Sequence, residues 1–326
     1  MSNASLLDRA EAHTDTTTIA AAAHRLRTTM AAVRVGFTWF GVQKSLTAAQ
    51  KERAAEAFDA QGQFLSATKK LIDTKHSAYR AVTSIRGRIE AFWKSQSLPF
   101  PEPGVRLIRQ DQAEAFARQV DDYRVELDDA VAELDRHFGA LKRASRDRLG
   151  SLYDDQDYPE TLRGLFAVAY DFPTVEPPDY LVALSPQLYE QERERVASRF
   201  EDAVRLAEEA FLAEFGRLVA HLTERITGTN DDGTAKVFRD SAIDSLVDFF
   251  ARFGQLNVRS SAQLDDLVAE AQRVVRGVEP QGLRDSDALR QRVASDLARV
   301  GSSLDDLLVD RPRRRIVRNA VQREAP

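Results

Sequence analysis

The sequence predicts a mainly α-helical fold with a small β element. Apolar side chains recur at spacings of three and four residues over long stretches, which is the helical period. Glycine and proline are scarce, at 15 and 11 of 326 residues, so interruptions of these helices are rare. Charged residues make up 30% of the chain, as expected for helices with solvated faces. The length suggests two folding units rather than one.

The first forty residues change from a helical to a strand pattern. A helix is predicted over about 17–32, after a loosely ordered leader. Residues 33–40 then place β-branched and aromatic side chains at alternate positions. This alternation predicts a strand with one buried face.

A second helical stretch is predicted to begin after Thr47, whose side-chain oxygen can cap a first turn. Its apolar pattern continues through Phe58, Phe64, Leu65 and Leu71 to Trp93. The proline-rich segment that starts at Pro99 ends it, because proline lacks the backbone donor. Residues 105–109 are predicted to form a short strand.

Two long amphipathic helices dominate the middle of the chain, over about 110–152 and 185–226. Ser185 and Pro186 are a favourable cap and first position for the second one. The first helix repeats apolar positions every 3.5 residues, which is typical of a coiled-coil seam. We expect the two to pack as an antiparallel, coiled-coil-like hairpin with the β element near one end. The predicted seam residues are Phe116, Val120, Tyr123, Leu127, Ala130, Leu134, His137 and Leu141.

Between the long helices, residues 165–172 alternate again and predict a second strand, and 180–184 is a third short candidate. After the polar turn at 229–233, three shorter helices are predicted at about 235–253, 261–276 and 285–309.

The predicted domains follow from these elements. They are a loosely ordered leader with the start of the first helix over 1–30, a helical hairpin domain with the β element over 31–228, a C-terminal helical bundle over 234–310, and a basic, disordered tail over 311–326.

Charge is unevenly distributed along the chain. The net charge is −5, yet six arginines and one glutamate follow position 310, so the tail carries +5 and residues 1–310 carry −10. The body is therefore expected to repel nucleic acid and anionic membranes. Cysteine is absent, which excludes disulfides and thiolate sites and favours a cytoplasmic location. No apolar stretch approaches the ~20 residues that span a bilayer.

Catalytic patterns are missing from the sequence. The five histidines lack metal-ligand spacing, and the adjacent carboxylate pairs lie on charged helix surfaces where solvation is the simpler interpretation. No glycine loop for phosphate and no Gly-x-Ser-x-Gly elbow occur. We therefore predict a protein that is not an enzyme, with no cofactor and no metal site.

Two groups of residues are candidate sites at which partners could bind. The aromatic side chains of Phe37, Trp39, Phe40 and Trp93 could form a docking patch, although a buried core is the favoured interpretation. The tail could contact phosphates, or it could serve only solubility. Its candidate residues are Arg311, Arg313, Arg314, Arg315 and Arg318.

Several segments in order resemble a family of bacterial, plasmid and phage proteins known only as a domain of unknown function. The resemblance covers about residues 30–275. It rests on Val35-Gly36-Phe37-Thr38-Trp39-Phe40-Gly41, Phe100-Pro101-Glu102-Pro103-Gly104-Val105-Arg106, Phe166-Ala167-Val168-Ala169-Tyr170, Lys236-Val237-Phe238-Arg239-Asp240 and Phe253-Gly254-Gln255-Leu256-Asn257. It implies no catalytic residues. It does imply a gene neighbourhood with a MoxR-type AAA+ ATPase and a von Willebrand A-type protein.

The leading functional prediction is a non-enzymatic interaction or scaffold protein, acting as an adaptor for such an ATPase. Self-association through the helical seams is a further expectation. The alternative is a nucleic-acid-associated protein of a phage or plasmid that uses the arginine tail. An enzyme whose polar site is assembled from separate helices is the third hypothesis.

Overall fold

The computed structural model describes the backbone of residues 4–227 and 240–309, and the side chains of residues 17–227 and 240–307. Within these ranges the chain forms ten α-helices and a four-stranded sheet, which confirms the mainly α fold class. The helices are α1 Ala4–Thr29, α2 Ala48–Glu56, α3 Ser77–Ser95, α4 Ala113–Leu149, α5 Tyr180–Leu184, α6 Pro186–Thr227, α7 Ser241–Leu256, α8 Ala262–Val275, α9 Pro280–Asp285 and α10 Asp287–Val309. The strands are β1 Met30–Trp39, β2 Gln43–Ser45, β3 Thr68–Lys70, β4 Ser97–Pro99, β5 Val105–Arg109 and β6 Phe166–Asp171.

Contacts along the chain define two compact units. The sheet unit is Arg27–Phe200, and the helical unit is Met1–Leu26 with Glu201–Pro326. The division by contacts falls within α6, whereas the polar turn predicted as a boundary at 229–233 lies outside the described residues.

The sheet is fully antiparallel, in the order β4-β5-β1-β6. The central strand β1 pairs through its first half with β5 and through its second half with β6, so that Arg34 lies opposite both Val105 and Asp171. Val33 and Val35 are buried on one face of β1, as the alternating pattern predicted. The predicted strands at 33–40, 105–109 and 165–172 therefore all form one small sheet.

Helices α3 and α4 pack against each other and, with the sheet, enclose the core of the sheet unit. The buried stripe of α4 was predicted to face the second long helix, but it contacts α3 and β6 in this core. The stripe is also displaced by one residue in its second half, where Val131 and Phe138 are buried in place of Ala130 and His137. A straight helix of 3.6 residues per turn drifts away from a strict 3.5-residue repeat, which accounts for the displacement.

The helical unit is centred on a group of phenylalanine rings. Phe215 of α6 stacks on Phe249 of α7 with centroids 5.1 Å apart, and Phe211 meets Phe253 edge-on at 5.0 Å. Helices α8 and α10 pack against each other beside this group, and Leu297 of α10 is fully buried. The three predicted C-terminal helices correspond to α7, α8 and α10, with the short α9 added between them.

Three predicted elements differ in the structure. The helix predicted from Thr47 through Leu71 to Trp93 is two helices in the structure. The first, α2, ends at Glu56, the chain turns at 57–67 and returns as β3, and the second, α3, begins only at Ser77. The strand predicted at 180–184 is the helix α5, since Ser185 donates its backbone N–H to the carbonyl of Leu181. Helix α1 begins at Ala4, within the leader that was predicted to be loosely ordered.

Candidate interaction surfaces

Three of the predicted aromatic residues lie together at the end of β1. Phe37 and Trp39 are half-buried on the face of β1 that packs against the core. The indole of Trp39 meets Phe166 edge-on with centroids 4.9 Å apart, and Phe40 lies 6.3 Å from the same ring. Phe166 is fully buried, so these contacts attach Trp39 and Phe40 to the core, and Phe37 packs against the same core.

The guanidinium of Arg86, on α3, covers two of these rings. Its central carbon lies 5.0 Å from the centroid of Phe37 and 4.9 Å from that of Trp39, and its Nε bonds to Glu90 at 2.9 Å. An arginine over aromatic faces adds about 0.5–1 kcal/mol at exposed sites. Trp93 lies on α3 and packs, half-buried, against the same core. The partner-binding role of these four aromatic residues stays a prediction.

The most exposed aromatic side chains of the described region belong to two residues that fit the helical pattern predicted after Thr47. Phe58 and Phe64 flank a turn after α2 and are 80% and 83% exposed. Phe58 was assigned to an apolar helix face because its spacing fits a helical pattern. In the structure both belong to the segment 57–67, which we call the phenylalanine loop.

The phenylalanine loop has a defined backbone. The N–H of Gly62 donates to the carboxylate of Glu52 at 2.9 Å, and a Cβ at position 62 would lie 2.7 Å from the backbone nitrogen of Glu52. Asp59 adopts a positive φ of 49°. At the base of the loop, the N–H of Leu46 donates to the carbonyl of Ala67, next to the β2–β3 pairing. The two phenylalanines are therefore presented by a tightly held turn.

A second exposed apolar group lies on α5 and the start of α6. Tyr180, Val182, Leu184 and Leu188 are each about half to three-quarters exposed, within nine consecutive residues. We call these four residues the α5 surface. Isolated exposed apolar residues are ordinary, whereas four within nine positions are unusual and are a candidate interaction site.

Polar residues gather where the segment after α4 meets β2 and β3. The carboxylate of Asp157 receives ion pairs from both Lys44 and Lys69, and Lys69 Nζ also donates to the carbonyl of Leu152 at 2.6 Å. Burial raises the pKa of Asp157, but hydrogen bonds and charges from the two lysines outweigh it, so the pKa is lowered. The Tyr158 hydroxyl donates to the carbonyl of Leu71 at 2.8 Å, and burial raises its pKa.

A neighbouring depression of about 340 Å³ lies along the last turns of α4. The cations Lys142 and Arg146 lie 3.7 and 3.8 Å from Asp155, whose carboxylate accepts a hydrogen bond from the Tyr153 hydroxyl at 2.8 Å. That hydrogen bond, followed by the charge of Lys142, lowers the pKa of Asp155. Lys142 and Arg146 thus connect α4, through Asp155, to the segment that follows this helix.

The structure brings together two histidines that the sequence did not relate. The rings of His76 and His137 have centroids 5.1 Å apart. His76 caps α3, with Nδ1 accepting from the N–H of Ala78 at 3.3 Å, and His137 Nε2 lies 2.9 Å from Glu133. No group of three or more His, Cys, Asp or Glu side chains within the described residues is arranged to hold a metal ion.

The predicted nucleic-acid residues Arg311, Arg313, Arg314, Arg315 and Arg318 lie outside the described residues. None of the described helices has both the length and the apolar character to cross a bilayer.

The comparisons with protein-family models, with curated proteins and with solved structures find no match for this chain. The resemblance to the domain of unknown function therefore stays a prediction.

Proposed function

We propose that the protein is a non-enzymatic adaptor that binds a protein partner through the phenylalanine loop. The observation that carries this proposal is the exposure of Phe58 and Phe64, at 80% and 83%, on a turn held by Gly62 and Glu52.

Binding through the phenylalanine loop would bury two phenyl rings. Covering a phenylalanine side chain that water now surrounds contributes about 1.5–3 kcal/mol. Interfaces draw most of their affinity from a few such anchors in desolvated pockets. Because the turn is already held in place, little conformational entropy is lost when it binds. Two anchors on one ordered turn therefore suit the recognition of a partner with a pair of apolar pockets.

The partner we propose is the MoxR-type AAA+ ATPase that the family resemblance implies as a genomic neighbour, with the von Willebrand A-type protein as a second component. In this proposal the chain itself hydrolyses no nucleotide. It would alter the ATPase activity of its partner or recruit a substrate to it.

The test is a pull-down and an ATPase assay with the neighbouring gene products, with and without ATP. We expect Phe58→Ser with Phe64→Ser to weaken the complex by at least about tenfold, which corresponds to 1.4 kcal/mol. Val125→Ser is the matched control, because Val125 is 63% exposed on α4. Absence of a complex at micromolar concentrations contradicts the adaptor proposal. A complex that tolerates both serine substitutions contradicts the assignment of the loop.

A further inference from the structure

The described part of the chain leaves the α5 surface uncovered. Tyr180 is 64% exposed and Leu184 is 73% exposed, and they lie one turn apart on α5. Val182, on the opposite side of this helix, is 48% exposed. A helix that is apolar on all sides is normally buried. Helix α6 continues this exposed region, since Val196 is its first buried residue.

Acidic residues border the α5 surface. Between Asp179 and Arg195 the chain carries four carboxylates and two arginines, a balance of −2. Both arginines already form ion pairs within α6, with Glu190 and Glu192. An apolar surface with an acidic border is complementary to a segment that combines arginines with aliphatic side chains.

Residues 311–326 of this chain have that chemistry. The segment carries six arginines and one glutamate, and Ile316, Val317 and Val321 supply aliphatic side chains between the arginines. Guanidinium groups form bidentate, charge-assisted hydrogen bonds with carboxylates, and aliphatic residues can cover exposed leucines. The segment itself lies outside the described residues.

We propose that the α5 surface binds the arginine-rich segment 311–326 of a second copy of this chain. Reciprocal exchange of the two segments covers both α5 surfaces at once and closes a two-fold dimer, the commonest symmetry of soluble homo-oligomers. This inference is independent of the proposed partner of the phenylalanine loop, because it concerns different residues and a different occupant.

The experiment measures the oligomeric state of the full chain by sedimentation velocity, from submicromolar to high micromolar concentration. Leu184→Asp with Leu188→Asp changes the surface, and Arg313→Glu with Arg314→Glu and Arg315→Glu changes the segment. Each set should weaken dimerisation by at least about tenfold, or 1.4 kcal/mol. Val125→Asp, at an equally exposed aliphatic position on α4, should leave dimerisation unchanged.

A synthetic peptide of residues 311–326, added to the wild-type chain, provides a second measurement that does not depend on the folding of any variant. It should dissociate the dimer, whereas a peptide with the same composition and a scrambled order should be weaker. A chain that stays monomeric at every concentration overturns the proposal. A dimer that is insensitive to the peptide and to both sets of substitutions also overturns it. The same holds if Val125→Asp weakens the dimer as much as Leu184→Asp with Leu188→Asp does.

Discussion

Lys69 and Asp157 form an ion pair in which both side chains are withdrawn from solvent. The lysine Nζ lies 2.6 Å from Asp157 Oδ2, and the two side chains are 5% and 1% exposed. The pair connects β3 to the segment that follows α4, so residues 88 positions apart in the chain are joined by opposite charges. Removing one member leaves the other buried without its partner, which is the costly outcome for such pairs.

Asp157→Asn should destabilise the protein by about 1–3 kcal/mol, because it leaves the buried ammonium of Lys69 without a charged partner. The measurement is the free energy of unfolding in urea at neutral pH. Asp155→Asn is the matched control, since Asp155 is an exposed carboxylate two residues away with longer ion pairs. Equal effects of the two substitutions would contradict a special role for Asp157.

The same ion pair predicts an acid-sensitive component of stability. The pKa of Asp157 in the folded protein is lowered from its ordinary value of 3.8. Its stabilising contribution is therefore complete above about pH 4, and it is lost as the pH falls through the lowered folded-state pKa. The stability difference between wild type and Asp157→Asn should shrink below pH 4 in urea titrations. A difference that stays constant into strong acid would contradict this prediction.

Leu127→Ala should destabilise the sheet unit by about 2–5 kcal/mol, through lost burial and the cavity left in the core. Leu127 is fully buried on α4, while Val125, two positions earlier, is 63% exposed. Val125→Ala should change the unfolding free energy by less than about 0.5 kcal/mol.

An aspartate at a buried apolar position is a more severe change than alanine. Leu127→Asp should prevent stable folding of the sheet unit, and Phe211→Asp should do the same to the helical unit, because each buries an unpaired charge. Wild-type-like melting of either aspartate variant would mean that its stripe is not core.

Two glycines provide a paired test of the phenylalanine loop. Gly62→Ala should destabilise the protein by about 1–3 kcal/mol, because the new methyl group meets the backbone of Glu52 at less than 3 Å. Gly87→Ala, on α3 where no atom beyond the neighbouring backbone of its own helix lies within 4 Å of the added Cβ, should be neutral or stabilise by up to about 1 kcal/mol. Thermal melts followed by circular dichroism distinguish these outcomes. A neutral Gly62→Ala would show that the turn can move away from Glu52.

Nucleic-acid binding, the alternative function predicted from the arginines, has a distinct signature. If each of the six arginines neutralises one phosphate of duplex DNA, the logarithm of the binding constant falls with the logarithm of the salt concentration. The slope of this line is then no steeper than about −5. Fluorescence anisotropy with a labelled duplex over a salt series measures this slope. Deletion of residues 311–326 should abolish the binding. Binding that survives the deletion, or that is insensitive to salt, would exclude this use of the tail.

The sequence predicted well those elements whose residue pattern depends only on which of their own sides is buried. The alternating residues of β1 and the three-four spacing of α4 record which side of each element is covered, so both were predicted close to their observed positions. The helix after Thr47 was overextended, because Phe58, Phe64 and Leu65 continue a helical spacing that the chain does not use. A hydrogen bond from the N–H of Gly62 to the carboxylate of Glu52, which periodicity does not record, helps hold the turn that replaces the predicted helix.

Relationships between distant residues were the least accessible from the sequence. His76 and His137 are 61 positions apart and meet only because α3 packs against α4. Neither histidine spacing nor local composition signals that contact. The partner of the α4 stripe was missed for a similar reason: an apolar face shows that a helix is covered, but not by which element.

The pairing of β1 with β6 has a consequence for synthesis on the ribosome. Arg34 and its partner Asp171 are separated by 137 positions. At about 5–20 residues per second, the ribosome needs about 7–27 s to reach the second strand after it has made the first. During this interval the nascent β1, with Val33, Val35 and Phe37, has an open edge and an apolar face. Chaperones that bind short apolar segments would therefore meet this strand early, and translation rate should influence how much of the chain reaches the native state.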